Sequence, residues 1–406
     1  MVNKFVDNLI SRAKVRQAQN KRRIPPPFDG PCRRLVSGGA PPKTCAGKIA
    51  WEGPLPAYRS IRSAILLASF ALALSGCAIA RAGDAGAAKA SEAQSHPDND
   101  YSAPGPYRAL VRYDVWTDEE RGRDIKVKLY APETDEPAPV VIFSHGLGGS
   151  VEAAPYFGKQ LSSHGFLVIY IQHPGSDAEV WRGKRGRAAI LAALRKATKK
   201  PATTINRYND VPFVIDEIEA RTVSGDLNAD VSRIGIAGHS FGAHTVLALL
   251  GRRYQGIGEV GDFKEPRLRA GMALSPPSPG PRVKPDDYDF VYGAIDRPIL
   301  HVTGTEDANP LDESDAPINR TIPFAEIDGA PQYLLVFDGA DHAVFGGASG
   351  PRAKAWYPDI RTRTAVAATA FFDAYLKHDE EARAWLDGPS AKEAFAEGAR
   401  FERRRP

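Results

Sequence analysis

Six short, largely apolar runs constrain this chain more than any other feature: residues 139–143, 166–171, 233–237, 268–274, 298–302 and 333–337. A strand with one face in water alternates apolar and polar side chains, whereas a strand covered on both faces does not. Runs of this kind predict buried parallel strands with helices on either side of the sheet. Helical patterns lie among them, at residues 155–163, 210–220, 241–250 and 362–376. Asp210 reads as the cap of the second, with Pro212 in the first turn, where a missing N–H costs little. Ahead of the runs, residues 108–116 and 124–130 flank the charged turn Asp118-Glu119-Glu120-Arg121-Gly122 and predict an antiparallel strand pair. The fold class expected is α/β, a doubly wound, mostly parallel sheet. At 406 residues and 43% hydrophobic, the chain has ample material for such a core.

The net charge of +4 is unevenly spread. Residues 1–77 carry 13 Lys/Arg against 3 Asp/Glu, and the remainder carries 40 against 46. The basic character belongs to the leader and gives no argument for nucleic-acid binding by the body. Residues 64–74 are apolar, follow Arg59 and Arg62, and run into Ser75-Gly76-Cys77, the layout of a secretory signal. The run is shorter than the roughly 20 residues a spanning helix needs. Leu74-Ser75-Gly76-Cys77 resembles a bacterial lipobox, which implies lipidation of Cys77. Ala78 after it favours the outer membrane over the inner one by the same resemblance. The expected location is the cell envelope, lipid-anchored. A soluble secreted or periplasmic product, or a cytoplasmic enzyme with an incidental apolar segment, are the alternatives.

Residues 1–58 contain Pro25-Pro26-Pro27 and no steady period, and read as an over-extended start or a disordered arm. The division expected is a signal at 59–77, a tether at 78–104, a catalytic domain at 105–380 and a helical tail at 381–406. Cys32, Cys45 and Cys77 are the only cysteines, so nothing beyond the leader can form a disulfide. Residues 174–209 are too long for a plain connection and read as a lid or cap insertion. Within them, residues 181–200 hold eight basic residues and no acid. If helical, that segment would turn Ile190, Leu191 and Leu194 inward and a positive face outward.

The sharpest chemical signal is Gly238-His239-Ser240-Phe241-Gly242, set between a predicted strand and a predicted helix. In that context the glycines permit a sharp turn that lifts the Ser240 hydroxyl out of the sheet, above a helix N-terminus that favours negative charge. A serine nucleophile needs a base, and the order Ser, acid, His selects His342, in the turn after the run 333–337. The acid belongs after the preceding strand, where Asp307 is the choice and Glu306 stands one residue away. Asp338 and Asp341 flank the base and read as turn formers. The oxyanion donors expected are the N–H groups of Phe241 and of Leu147, in the loop Ser144-His145-Gly146-Leu147-Gly148-Gly149. There is no zinc motif, cysteine cluster or phosphate loop, so no metal or organic cofactor is expected.

The segments Phe143-Ser144-His145-Gly146-Leu147-Gly148-Gly149, Gly238-His239-Ser240-Phe241-Gly242 and Gly339-Ala340-Asp341-His342 resemble α/β-hydrolases of the dienelactone-hydrolase-like and platelet-activating-factor acetylhydrolase group. The likeness implies an eight-stranded α/β-hydrolase sheet, with Ser240 as nucleophile, His342 as base, and Leu147 and Phe241 as oxyanion donors. The chain departs from the group in two places. Dienelactone hydrolases proper carry a cysteine nucleophile. In the plasma-type acetylhydrolase the acid follows the sixth strand, where this chain has Ser275-Pro276. The expected function is carboxylic ester hydrolysis through an acyl-enzyme, on short-chain acyl or lipid-type esters. Lipase, polyester hydrolase or acyltransferase chemistry on the same residues is the alternative within the class. A non-catalytic, ligand-binding envelope lipoprotein is the alternative outside it. Oligomeric state is not legible.

Overall fold

The computed structural model describes residues 101–254, 263–280, 283–312, 314–349 and 353–406. Cys77, the signal segment, the residues before it and most of the tether lie outside the described residues. No helix among the described residues is long and apolar enough to cross a membrane.

Nine strands form one sheet in the order β1-β2-β4-β3-β5-β6-β7-β8-β9. They are β1 (Ala109–Asp118), β2 (Arg123–Pro132), β3 (Ala138–Ser144), β4 (Leu167–Ile171), β5 (Ala229–His239), β6 (Leu268–Leu274), β7 (Ile299–Glu306), β8 (Gln332–Asp341) and β9 (Ala399–Arg404). The β1/β2, β2/β4 and β8/β9 pairs are antiparallel, and the five pairs from β4 through β8 are parallel. The longer helices are α1 (Pro155–Ser163), α2 (Arg187–Thr198), α3 (Pro201–Val223), α4 (Phe241–Leu249), α5 (Tyr357–Phe372) and α6 (Glu380–Asp387).

The central strands are apolar throughout because both faces are covered. Along β3, Val141 and Phe143 enter the core that contains Phe157 of α1 and Phe371 and Phe372 of α5. Val140 and Ile142 face the opposite core, with Val211, Val214 and Ile215 of α3 and Val246 of α4. Each such side chain, fully buried, contributes about 1.5–3 kcal/mol relative to exposure. The parallel arrangement brings the carboxyl ends of β3, β5, β7 and β8 to one edge of the sheet. Ser144 pairs with Gly238 there, so the loop after β3 stands beside the turn after β5. Crevices at such strand ends are where open α/β sheets bind ligands.

Three expectations need correction. The sheet has nine strands, not eight, because residues 399–404 add an antiparallel edge strand to β8. The segment 381–406 is therefore not wholly helical. Asp210 caps nothing: α3 begins at Pro201, whose fixed φ suits a first turn, and Asp210 lies buried in its interior. The first turns of α3 thus occupy the end of the segment read as an insertion. The basic stretch before it contains α2, with Ile190, Leu191 and Leu194 half-buried and most of its cations exposed.

Candidate active site

Strand β5 ends in a turn with no spare room. Ser240 has φ 56° and ψ −109°, a region non-glycine residues rarely enter. Such a conformation costs of order 1–3 kcal/mol and persists only where its surroundings impose it. They do so here. A Cβ on Gly242 would lie 1.8 Å from the Ser144 carbonyl oxygen, and one on Gly238 would lie 2.5 Å from the backbone of Gly242. Two glycines let α4 start directly against β3, and the serine is raised at its N-terminus. The Ser240 N–H is anchored on the Leu274 carbonyl at 2.8 Å.

Ser240 Oγ lies 2.9 Å from His342 Nε2, and His342 Nδ1 lies 2.8 Å from Asp307 Oδ1. These two contacts fit one protonation pattern, in which the hydroxyl donates to Nε2 and Nδ1–H donates to the carboxylate; Arg320 Nη2 also lies 3.2 Å from Nδ1. His342 opens a one-turn helix, His342–Phe345, capped by Asp341, whose Oδ1 accepts from Ala343 N at 3.1 Å. Asp341 is thus the turn former. Glu306 is exposed and faces Lys354 at 3.6 Å, away from the imidazole.

Asp307 is fully buried, and burial works against its charge. The bonds from His342 and the nearby Arg320 charge outweigh that, and its pKa is lowered from the usual carboxylate range. Its second oxygen, Oδ2, accepts from Thr303 Oγ1 at 2.8 Å. Arg320 is buried beside it, 2.9 Å from Oδ1, and donates to the Asp307 carbonyl at 2.6 Å and the Ser275 carbonyl at 3.0 Å. It ties the ends of β6 and β7 together under the acid. His239, beside the serine, is buried, and burial together with the neighbouring His342 holds its pKa down at about 3. It is neutral near pH 7, and Nε2 donates to the His342 carbonyl at 3.0 Å.

The loop after β3 is stitched in place from several sides. Gly146 stands against the nucleophile: a Cβ there would lie 3.5 Å from Ser240 Cβ. The Gly146 carbonyl, on the peptide that carries the Leu147 N–H, accepts from His145 Nδ1 at 2.6 Å and from Gly149 N at 3.0 Å. Gly148 donates to the Ser176 carbonyl at 2.8 Å, and Trp181 Nε1 donates to the Gly148 carbonyl at 2.8 Å. Among the described residues no hydrogen bond leaves the N–H of Leu147 or Phe241. Both therefore remain available to a bound group.

A family model described as platelet-activating factor acetylhydrolase, isoform II, matches residues 125–183, which span β2, β3, the loop after it, α1 and β4. Platelet-activating factor acetylhydrolase of Canis lupus familiaris is 26% identical over 199 residues, covering 42% of this chain and 40% of that protein. The protein of the same name from Cavia porcellus is 27% identical over 169 residues, 36% of each chain. That from Bos taurus is 26% identical over 171 residues, 35% of each. Over these segments the chain is similar to platelet-activating factor acetylhydrolases. It spans about two fifths of the length of the curated relatives it matches.

In this acetylhydrolase-like chain the structure brings Ser240, His342 and Asp307 into one hydrogen-bonded series, with Leu147 and Phe241 on the two segments that flank the serine. Sequence reasoning missed Thr303, Arg320 and His239. Arg320 lies 13 residues after the acid in a turn, Pro317–Thr321, with no motif to mark it. A signal for Thr303 existed: it is a buried polar residue near the end of β7, four before Asp307.

Proposed function

We propose that the protein is a serine-dependent carboxylic ester hydrolase working through an acyl-enzyme. The observation that carries this reading is the series Ser240 Oγ–His342 Nε2–Asp307 on a strained turn at the carboxyl end of the sheet. His342 takes the hydroxyl proton as Ser240 Oγ bonds to the ester carbonyl carbon. The carbonyl oxygen becomes an oxyanion held by the N–H groups of Leu147 and Phe241, at the positive end of α4. Collapse breaks the C–O bond, and His342 gives its proton to the leaving alkoxide. Water repeats the sequence on the acyl-enzyme and releases the acid.

The substrate class proposed is short-chain acyl esters of lipid type. Two features support a lipid: the relatives' names, and the basic segment around α2, which meets the loop after β3 through Trp181 and Leu194. In this reading that segment is a lid whose cations meet anionic head groups, and Cys77 anchors the enzyme in the envelope. Fluorophosphonate labelling of the wild type and Ser240→Ala is the first test. Labelling at Ser240 is expected, and its absence from a folded protein overturns the hydrolase reading. Rates on p-nitrophenyl esters from two to sixteen carbons give the acyl preference. A maximum beyond about ten carbons replaces the short-chain reading with a lipase pocket, since each buried methylene contributes about 0.8 kcal/mol. Neutralising Lys184, Arg185 and Arg187 should slow hydrolysis in anionic vesicles and leave soluble acetyl esters unchanged. Equal effects on both remove the head-group role. Palmitate labelling that survives Cys77→Ala removes the anchor.

A further inference from the structure

Behind the candidate site lies a second polar cluster with no access to solvent. Arg207, on α3, is fully buried. Its Nε donates to Thr245 Oγ1 at 3.2 Å, Nη1 to Ser176 Oγ at 2.8 Å, and Nη2 to Ser144 Oγ at 2.9 Å and to the His145 carbonyl. Every one of these acceptors is neutral. Two buried carboxylates, Asp210 and Asp177, act on it through space without a direct bond, and Asp210 is already held by Arg121 at 2.8 Å, Arg123 at 3.0 Å and His173 at 3.0 Å. A buried cation without a direct carboxylate partner is expensive. Burial lowers the Arg207 pKa to about 9, so the guanidinium remains charged at neutral pH.

The placement of that charge gives it a use. The guanidinium sits 4.6 Å from the ring centroid of Phe241, the residue after the nucleophile. Thr245 links it to the same residue, because the Thr245 hydroxyl donates to the Phe241 carbonyl at 3.1 Å. On the other side it holds the His145 carbonyl, and His145 in turn fixes the peptide that carries the Leu147 N–H. His145 is fixed as well, since its Nε2 accepts from the His173 N–H at 3.1 Å. One side chain thus touches both segments expected to bind an oxyanion.

We propose that Arg207 is a positioning residue for the reaction, setting the two oxyanion donors and placing a buried positive charge behind the segments that carry them. This rests on the hydrolase reading above. In a poorly polarisable interior such a field acts on the transition state far more than on the neutral ester. Arg207 therefore governs kcat and leaves KM nearly unchanged, which a purely structural role would not do.

The test compares wild type, Arg207→Lys and Arg207→Met on p-nitrophenyl acetate, with an alkyl trifluoromethyl ketone as probe. Ser240 Oγ adds to the ketone carbon, its proton passes to His342, and the ketone oxygen becomes an oxyanion without a leaving group. Arg207→Met should lower kcat by about 10- to 100-fold with KM within about twofold. Ketone affinity should fall in parallel, and Arg207→Lys should recover part of both. Unchanged kcat in a folded Arg207→Met, or a fall in kcat without loss of ketone affinity, overturns the proposal. Should Arg207→Met not fold, Ser176→Ala and Thr245→Val carry the test by loosening the guanidinium while keeping its charge. Parallel losses of about 3- to 10-fold in kcat and ketone affinity support the proposal, and unchanged values in both overturn it. Wild type serves as the control on the underlying reading. If fluorophosphonate fails to label its Ser240, the hydrolase reading falls; if it labels wild type and Arg207→Met at the same rate, only this inference falls.

Discussion

The molecule contains the same three residue types in the same order of bonding twice. Ser240, His342 and Asp307 are linked at 2.9 and 2.8 Å; Ser144, His173 and Asp210 are linked at 2.9 and 3.0 Å. Distances alone do not distinguish them. Environment does. Ser240 stands half-buried on a backbone at positive φ, above a helix start, with an N–H on either side. Ser144 is wholly buried in a regular strand, and its oxygen already accepts from Arg207 Nη2. Its hydroxyl is therefore occupied both as donor and as acceptor. His173 is held neutral, its pKa lowered to about 4 by burial and by the Arg207 charge. A Ser–His–Asp series becomes reactive where a substrate can reach the oxygen and charge can develop beside it; elsewhere it is a brace.

That contrast can be broken by exchanging damage between the two sets. Ser240→Ala should lower kcat by about 10³- to 10⁶-fold with little change in melting temperature. Ser144→Ala should leave Ser240 reactive to fluorophosphonate while costing about 1–3 kcal/mol of stability, because His173 and Arg207 lose a buried partner. Comparable activity losses in the two variants would erase the distinction. Asp307→Asn should cost about 10³- to 10⁴-fold in kcat by leaving the imidazole in the wrong tautomer. Asp210→Asn should instead act on stability, by about 3–5 kcal/mol, since it removes the buried carboxylate charge shared by Arg121, Arg123 and His173; denaturant unfolding measures it.

The pH dependence of stability sharpens the same comparison. His173 is neutral when folded down to about pH 4 but takes up a proton near its ordinary pKa when unfolded. Between those values the unfolded state binds more protons, so stability rises with pH there and falls as acid is added. Melting temperature should drop from pH 6.5 to pH 4, and His173→Gln should flatten that slope. An unchanged slope would mean that the other buried histidines, His145, His239, His244 and His301, all lowered by burial, dominate instead. The smallest effect expected is from Trp181→Phe, which removes only the indole N–H to the Gly148 carbonyl. A fall of about two- to fivefold in kcat corresponds to about 0.4–1 kcal/mol, the lower part of the range for one neutral hydrogen bond.

The parallel strands were legible because burial on both faces leaves its mark on every residue of a run. Strand β9 was not. It reads Ala-Arg-Phe-Glu-Arg-Arg, four charges in six residues, with only Phe401 buried, as suits an exposed edge. The turn around Ser240 was legible because backbone geometry demands glycine at two set positions. Asp210 was misread because an aspartate before a proline looks like a cap, and only the fold reveals the arginines from β2 and the turn before it. Arg207 and Arg320 share that limit. Their roles arise from partners on other elements, which no local spacing records, whereas Thr303 stands only four residues before its partner Asp307.

The crowding around Gly238 and Gly242 has a consequence for anyone wishing to retune this protein. The wall made by the serine's own turn has no volume to give, since one added carbon there meets the β3 backbone. Libraries that seek room near the serine will find it more readily beside the loop after β3, at Trp181 and Leu194, where side chains rather than main chain close on Gly148.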